Sequence, residues 1–205
     1  MVELGKITKP DVNNFKGKRK LYCVANVFSM EDAPDDYKEM ILKYWDEVAA
    51  QIEKIETAGK IKKIFSEIIL DTSDSSLEVL DKISEKLKKI VTQKLEEGAL
   101  LIPVEDRELL GELTDWSNCL RVIYTKEVFS KVFSFFNEVA EKRREHILNV
   151  ITKNLLEAEA GLLIIKDEDR VKLQFPSDIE IFLITPPSYD DIIRWFRNKM
   201  MKEEK

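Results

Sequence analysis

The sequence predicts an α/β fold, a mostly parallel sheet of about six strands with helices on both faces. Three observations predict it. Short apolar runs recur along the chain, as in Leu21–Phe28 and Leu162–Ile165, and strands buried on both faces read this way. Amphipathic segments with apolar residues three and four apart separate those runs. The chain has 205 residues, 44% of them hydrophobic and 35% charged, which suits one large core under a charged surface.

Taken in order, residues 1–20 are polar and end in Lys16-Gly17-Lys18-Arg19-Lys20; they read as a flexible leader. Leu21–Phe28 is aromatic and β-branched, a buried strand. Pro34 and Asp35-Asp36 open a helix with Ile41, Tyr44, Trp45, Val48, Ile52 and Ile55 on one face, closed by Gly59. Ile64–Leu70 is a second strand carrying a misplaced acid, Glu67. One helix is expected from Leu77 to Val91, ending at Gly98. Ala99–Val104 is a third strand whose Pro103 belongs at an edge, a strand end or a bulge, because proline has no N–H for a ladder. A short helix over Arg107–Leu113 leads to a fourth expected strand, Cys119–Tyr124. The segment Glu127–Leu155 lacks Pro and Gly and is long for a globular helix. Leu162–Ile165 is the fifth strand, Val171–Phe175 a short ribbon, and Ile179–Ile184 the sixth strand, stopped by Pro186-Pro187. A last helix holds Ile192, Ile193, Trp195 and Phe196. The layout is a leader, one domain over residues 21–198, and a charged tail over residues 199–205.

The formal net charge is -6. An acidic balance argues against generic nucleic-acid binding, which needs clustered Lys and Arg. No apolar run approaches the roughly 20 residues that cross a bilayer, and the first residues have no secretory pattern. Cys23 and Cys119 lie in apolar runs and read as buried, reduced thiols of a cytoplasmic protein.

Ligands of parallel sheets bind beyond the carboxyl ends of the strands. Asn26, Ser29, Glu67, Asp71, Glu105, Asp106, Thr125, Asp167, Glu168 and Asp169 stand there. Glu67, Glu105 and Asp106 are the candidate catalytic acids, because carboxylates in unlike environments divide acid and base roles. A divalent cation such as Mg²⁺ fits the same oxygen chemistry. Arg143, Arg144, Asp167, Asp169 and Arg170 are the candidate binding residues. Against this stand plainer roles: acids after strands form turns and caps, and the helix arginines have Glu138, Glu141 and Glu145 near for pairing. Phosphate-cradling glycine motifs are missing. The single histidine, His146, lies mid-helix and reads as a surface residue. Two Cys and one His leave no set of zinc ligands.

The run Lys142-Arg143-Arg144-Glu145-His146-Ile147, with Glu159-Ala160-Gly161-Leu162-Leu163-Ile164, Phe175-Pro176-Ser177-Asp178 and Pro186-Pro187, resembles a family of prokaryotic cytosolic proteins described only as hypothetical. Ala33-Pro34-Asp35-Asp36-Tyr37, Val104-Glu105-Asp106 and Asp115-Trp116-Ser117-Asn118-Cys119 extend that resemblance over about Leu21–Arg197. A fainter resemblance is to the TraB and erythromycin-esterase-like proteins. It rests on Glu67 in an early strand and on Arg143 or Arg144 in a long helix before an apolar strand. The histidine of that pattern has no counterpart, since Lys166-Asp167-Glu168-Asp169 follows Ile165.

Two functional expectations follow. The first is an acidic cytoplasmic binding or regulatory protein that self-associates through its long helix, with Phe129, Phe133 and Phe136 to spare. The second is a hydrolase-like enzyme built on Glu67, Glu105 and Asp106, with Asp167 or Asp169.

Overall fold

A computed structural model describes residues 17–28 and 33–203 of the chain. The leader expected over residues 1–20 lies outside the described residues up to position 16, as does Ser29. Five parallel strands form one sheet: β1 Arg19–Ala25, β2 Ile61–Ser66, β3 Leu100–Pro103, β4 Ala160–Ile165 and β5 Ile179–Ile184, in the order β3-β2-β4-β1-β5. The continuous apolar runs are the central strands. All of Leu21–Val24 and all of β4 are buried. Pro103 ends β3, an edge strand, where its missing N–H breaks no ladder.

One face of the sheet is covered by helices α1 (Asp35–Ile55), α2 (Asp74–Ile83), α3 (Glu85–Glu96) and α7 (Pro187–Glu203). Their apolar stripes meet Tyr22, Val24, Ile64, Leu162 and Ile164. The other face packs on α5 (Lys126–Asn154) through Ile147 and Ile151, against Leu21, Cys23, Phe65 and Leu163. The chain therefore leaves β1 and β2 toward the α1 face, and leaves β3 and β4 toward the α5 face. Strands with opposite exits alternate over β3, β2, β4 and β1, and crevices open at the carboxyl ends of such neighbours.

Four expectations differ from the structure. Cys119–Tyr124 is not a strand. Helix α4 runs Arg107–Leu120 and a turn follows. Its partly buried Leu109, Leu113, Trp116 and Leu120 keep the helical period, and packing against α5 overrides the β-branched residues beyond. Cys119 is accordingly exposed, unlike buried Cys23. Val171–Phe175 forms a turn and irregular chain after the one-turn helix α6 (Asp167–Arg170). The helix expected to run from Leu77 is two, α2 and α3, broken at the extended Ser84.

Helices α4 and α5 pack as a hairpin across the short link 121–125. No residue of α4 is buried, and α5 buries side chains only from Val139 onward. The first half of α5 therefore stands away from the sheet.

Candidate functional site

The buried stripe of α5 runs Val139, Arg143, Ile147, Ile151, one residue every four. An arginine thus occupies a core-facing position. The stripe carries it to the carboxyl ends of β2 and β4, where three acids from three other segments meet it. Arg143 Nε donates 2.8 Å to Glu105 Oε2, and Nη2 donates to Glu105 Oε1. Nη1 donates 2.8 Å to Asp169 Oδ2, and Nη2 lies 3.6 Å from Glu67 Oε2. Arg143 and Glu105 are each 6% exposed and Glu67 is 1% exposed. Burial opposes the charge of Arg143, but the bonds to Glu105 and Asp169 prevail and hold its pKa above the ordinary value.

Glu67 stands one residue beyond β2. Its Oε1 accepts 2.7 Å from Asn26 Nδ2 and 3.1 Å from the Lys166 backbone N–H. Among the described residues those are its only side-chain hydrogen bonds. Burial pushes its pKa upward, against the opposing pull of Asn26, Lys166 and Arg143. The next residue, Ile68, has φ +75°, a conformation that costs a β-branched residue about 1–3 kcal/mol. That turn carries the chain out of β2 and presents the Ile68 N–H to Glu105 Oε1 at 3.4 Å.

A crevice of about 550 Å³ opens over this cluster between the α4–α5 hairpin and the loop after β4. Glu67, Arg143, Arg144 and Asp169 line it on one side, with Lys166 and Lys172 beside them. Leu110, Leu113 and Phe136 supply an apolar wall. The volume falls in the roughly 300–1,000 Å³ range of small-molecule sites.

Of the candidate residues, Glu67, Glu105, Arg143, Arg144 and Asp169 come together here. Asp106 does not. It caps α4, its Oδ1 accepting from the Glu108 and Leu109 N–H groups at 2.9 Å each, as the turn-and-cap reading of such acids holds. Asp167 and Arg170 pair with each other at 2.7 Å within α6 and leave the crevice to their neighbours. The plainer reading of the helix arginines, surface pairing, fits Lys142 with Glu138 and Arg144 with Glu141. It fails for Arg143, and the spacing 139-143-147-151 is the signal that marks it. Sequence reasoning missed Asn26 as the partner of Glu67, and missed Arg121 and Lys172 on the rim.

Among the described residues, no three of the His, Cys, Asp and Glu side chains gather for a metal ion. Glu67, Glu105 and Asp169 do converge, but a guanidinium sits at their centre. The position a divalent cation would take is filled by Arg143. No helix among the described residues is long and apolar enough to cross a membrane. Comparison with protein-family models, with curated proteins and with solved structures gave no match.

Proposed function

We propose that the crevice is the site of a hydrolase-like enzyme in which Glu67 moves the proton. One observation carries this reading. Glu67 is held through one oxygen by Asn26 and Lys166, while its other oxygen, 3.6 Å from Arg143 Nη2, accepts no hydrogen bond among the described residues, and the residue lines the crevice. A raised pKa suits a general base or acid working near neutrality. In the ionised form Glu67 takes a proton from water as that water attacks a carbonyl or phosphoryl centre. It then returns the proton to the leaving group. Arg144 and Lys166 line the same crevice and supply positive charge for the negative charge that develops. Arg143 is a positioning residue: it fixes Glu105 and Asp169 and keeps the site assembled. The resemblance to the TraB and erythromycin-esterase-like proteins adds partial support, since its acid matches Glu67 and its helix arginine Arg143 or Arg144, while its histidine has no counterpart.

The test is a panel of p-nitrophenyl carboxylic esters, anilides and phosphate monoesters, run with the wild-type chain and with Glu67→Gln. Turnover that drops about 10²–10⁴-fold in a folded Glu67→Gln protein supports the reading. No turnover of any class by the wild type, or equal turnover by both, overturns it.

A second reading, a self-associating binding or regulatory protein, rests on the hairpin. Phe129, Phe133 and Phe135 are 43%, 44% and 49% exposed, and Val122 and Tyr124 more so. Phe129 and Phe133 stack on one face, with centroids 5.8 Å apart, and two copies pairing that face complete a four-helix arrangement from two α4–α5 hairpins. Light scattering after gel filtration at micromolar concentration decides it: a dimer mass supports pairing, a monomer mass removes it. Either reading keeps the chain in the cytoplasm, with its two thiols reduced.

A further inference from the structure

The crevice holds cations that the protein leaves without carboxylate partners. Among the described residues, Arg121, Lys166 and Lys172 make no ion pair, and all three line the same cavity; the Lys166 ammonium lies 5.2 Å over the Phe28 ring. Arg144 lines the cavity too. Its Nη2 pairs with Glu141 and its Nη1 lies 3.9 Å from Asp169 Oδ1, yet its Nε is buried with no hydrogen-bond partner. A buried N–H without a partner is destabilising unless a ligand or water takes it. The chain has 39 acids against 33 basic residues, so partners are not scarce. The same cavity is lined by Glu67, Glu168 and Asp169, but its five basic side chains outnumber these three acids, and a bound anion relieves the repulsion among the surplus cations.

The shape narrows the anion. Basic residues that bind nucleic acid spread along a stripe or groove; these converge on a cavity of about 550 Å³. Leu110, Leu113 and Phe136 line the same cavity, as do Thr114, Ser117 and Asn118. Small-molecule sites pair an apolar lining with a few convergent polar groups in this way.

We infer that the crevice takes a small organic oxyanion, a phosphate or carboxylate head on an apolar body. Arg121, Arg144, Lys166 and Lys172 receive the head, and Leu110, Leu113 and Phe136 receive the body. Arginine forks suit either head group. This names the ligand class of the site proposed above and rests on that crevice being a ligand site. It does not depend on Glu67 performing chemistry.

Isothermal titration with phenyl phosphate, benzoate, inorganic phosphate and neutral benzyl alcohol tests it. Phenyl phosphate or benzoate should bind at least about tenfold more tightly than benzyl alcohol and than inorganic phosphate, and binding should weaken with added salt. The stronger of the two aromatic anions identifies the head group. The exposed pair Arg121→Gln/Lys172→Gln should fold normally and weaken binding about tenfold or more. Lys126→Gln/Lys131→Gln, at the far end of α5, should not. Equal affinity for the neutral analogue, an unchanged Arg121→Gln/Lys172→Gln variant, or no binding by any anion overturns the inference. Glu67→Gln separates the two proposals. Anion binding that survives in it while turnover is lost supports both. Turnover by a wild type that binds none of the anions sinks the ligand class alone.

Discussion

Asn26 and Glu67 meet across the end of a strand that belongs to neither. Asn26 follows β1, Glu67 follows β2, and β4 lies between those strands. Asn26 Nδ2 nonetheless reaches Glu67 Oε1 at 2.7 Å, over the point where β4 ends and the Lys166 N–H donates to the same oxygen. Adjacent strands are about 4.8 Å apart, so the two backbones are separated by two such steps and the side chains span the gap. The result is a buried carboxyl fixed by the carboxyl ends of three strands.

That carboxyl makes stability depend on pH with a definite sign. In the unfolded chain Glu67 loses its proton near the ordinary value of 4.5; in the folded protein burial delays that loss to higher pH. The native state thus holds more protons in the window that starts near pH 4.5 and ends at the raised native value. Stability from this group falls as pH rises through that window. Glu67→Gln carries no such slope and keeps an oxygen for Asn26 and Lys166. Urea midpoints from pH 5 to 8 should show Glu67→Gln gaining on the wild type as pH rises. A constant difference, or a gain by the wild type, contradicts the assignment.

Removing the central cation should be severe. Arg143→Met leaves Glu105, with a fully buried side chain, and Glu67 without their charge partner. Breaking one side of a buried ion pair costs about 3–5 kcal/mol. Denaturant unfolding should show a loss of that size, and Arg143→Met/Glu105→Gln should recover part of it. A loss under about 1 kcal/mol would mean that water already screens the cluster.

Gly161 tests the packing beneath the site. A Cβ at this β4 position would lie 2.9 Å from a Phe65 ring carbon and 3.2 Å from Leu155 Cδ1. Both neighbours are buried, so neither moves freely. Gly161→Ala should destabilise the protein by about 1–3 kcal/mol through overpacking, read as a lower urea midpoint at unchanged slope. An unchanged midpoint would show that Phe65 shifts without cost.

The hairpin tip predicts a change in mass rather than stability. Phe129 and Phe133 stack with centroids 5.8 Å apart on the outer part of α5, away from both cores of the sheet. Phe129→Asp/Phe133→Asp should convert a dimer to a monomer in light scattering. If the wild type and the variant share one mass at every concentration, the aromatic face is not where copies meet.

Much of the fold is legible because period and punctuation agree. The stripe of α1, the buried runs of β1 and β4, and Pro103 at a strand end each follow from local rules. The misread segment is also instructive. Cys119–Tyr124 has strand composition, yet Leu109, Leu113, Trp116 and Leu120 continue a helix that needs α5 beside it. Nothing local in those residues reports α5.

The site divides in the same way. Sequence alone determined that Glu67 is an acid at the end of an apolar strand, that acids follow β3 and β4, and that a basic cluster interrupts a long helix. The misfit between residue type and surroundings carried those conclusions. Only the tertiary structure decided which of them meet. It joined Glu67 to Asn26 and Glu105 to Arg143, and gave Asp106 to a helix cap. It also gathered Arg121, Arg144, Lys166 and Lys172 round one crevice. The reason is physical. Burial and charge pairing are set by the order of strands in the sheet, and the order β3-β2-β4-β1-β5 places residues up to 140 positions apart, Asn26 to Lys166, around a single carboxyl group.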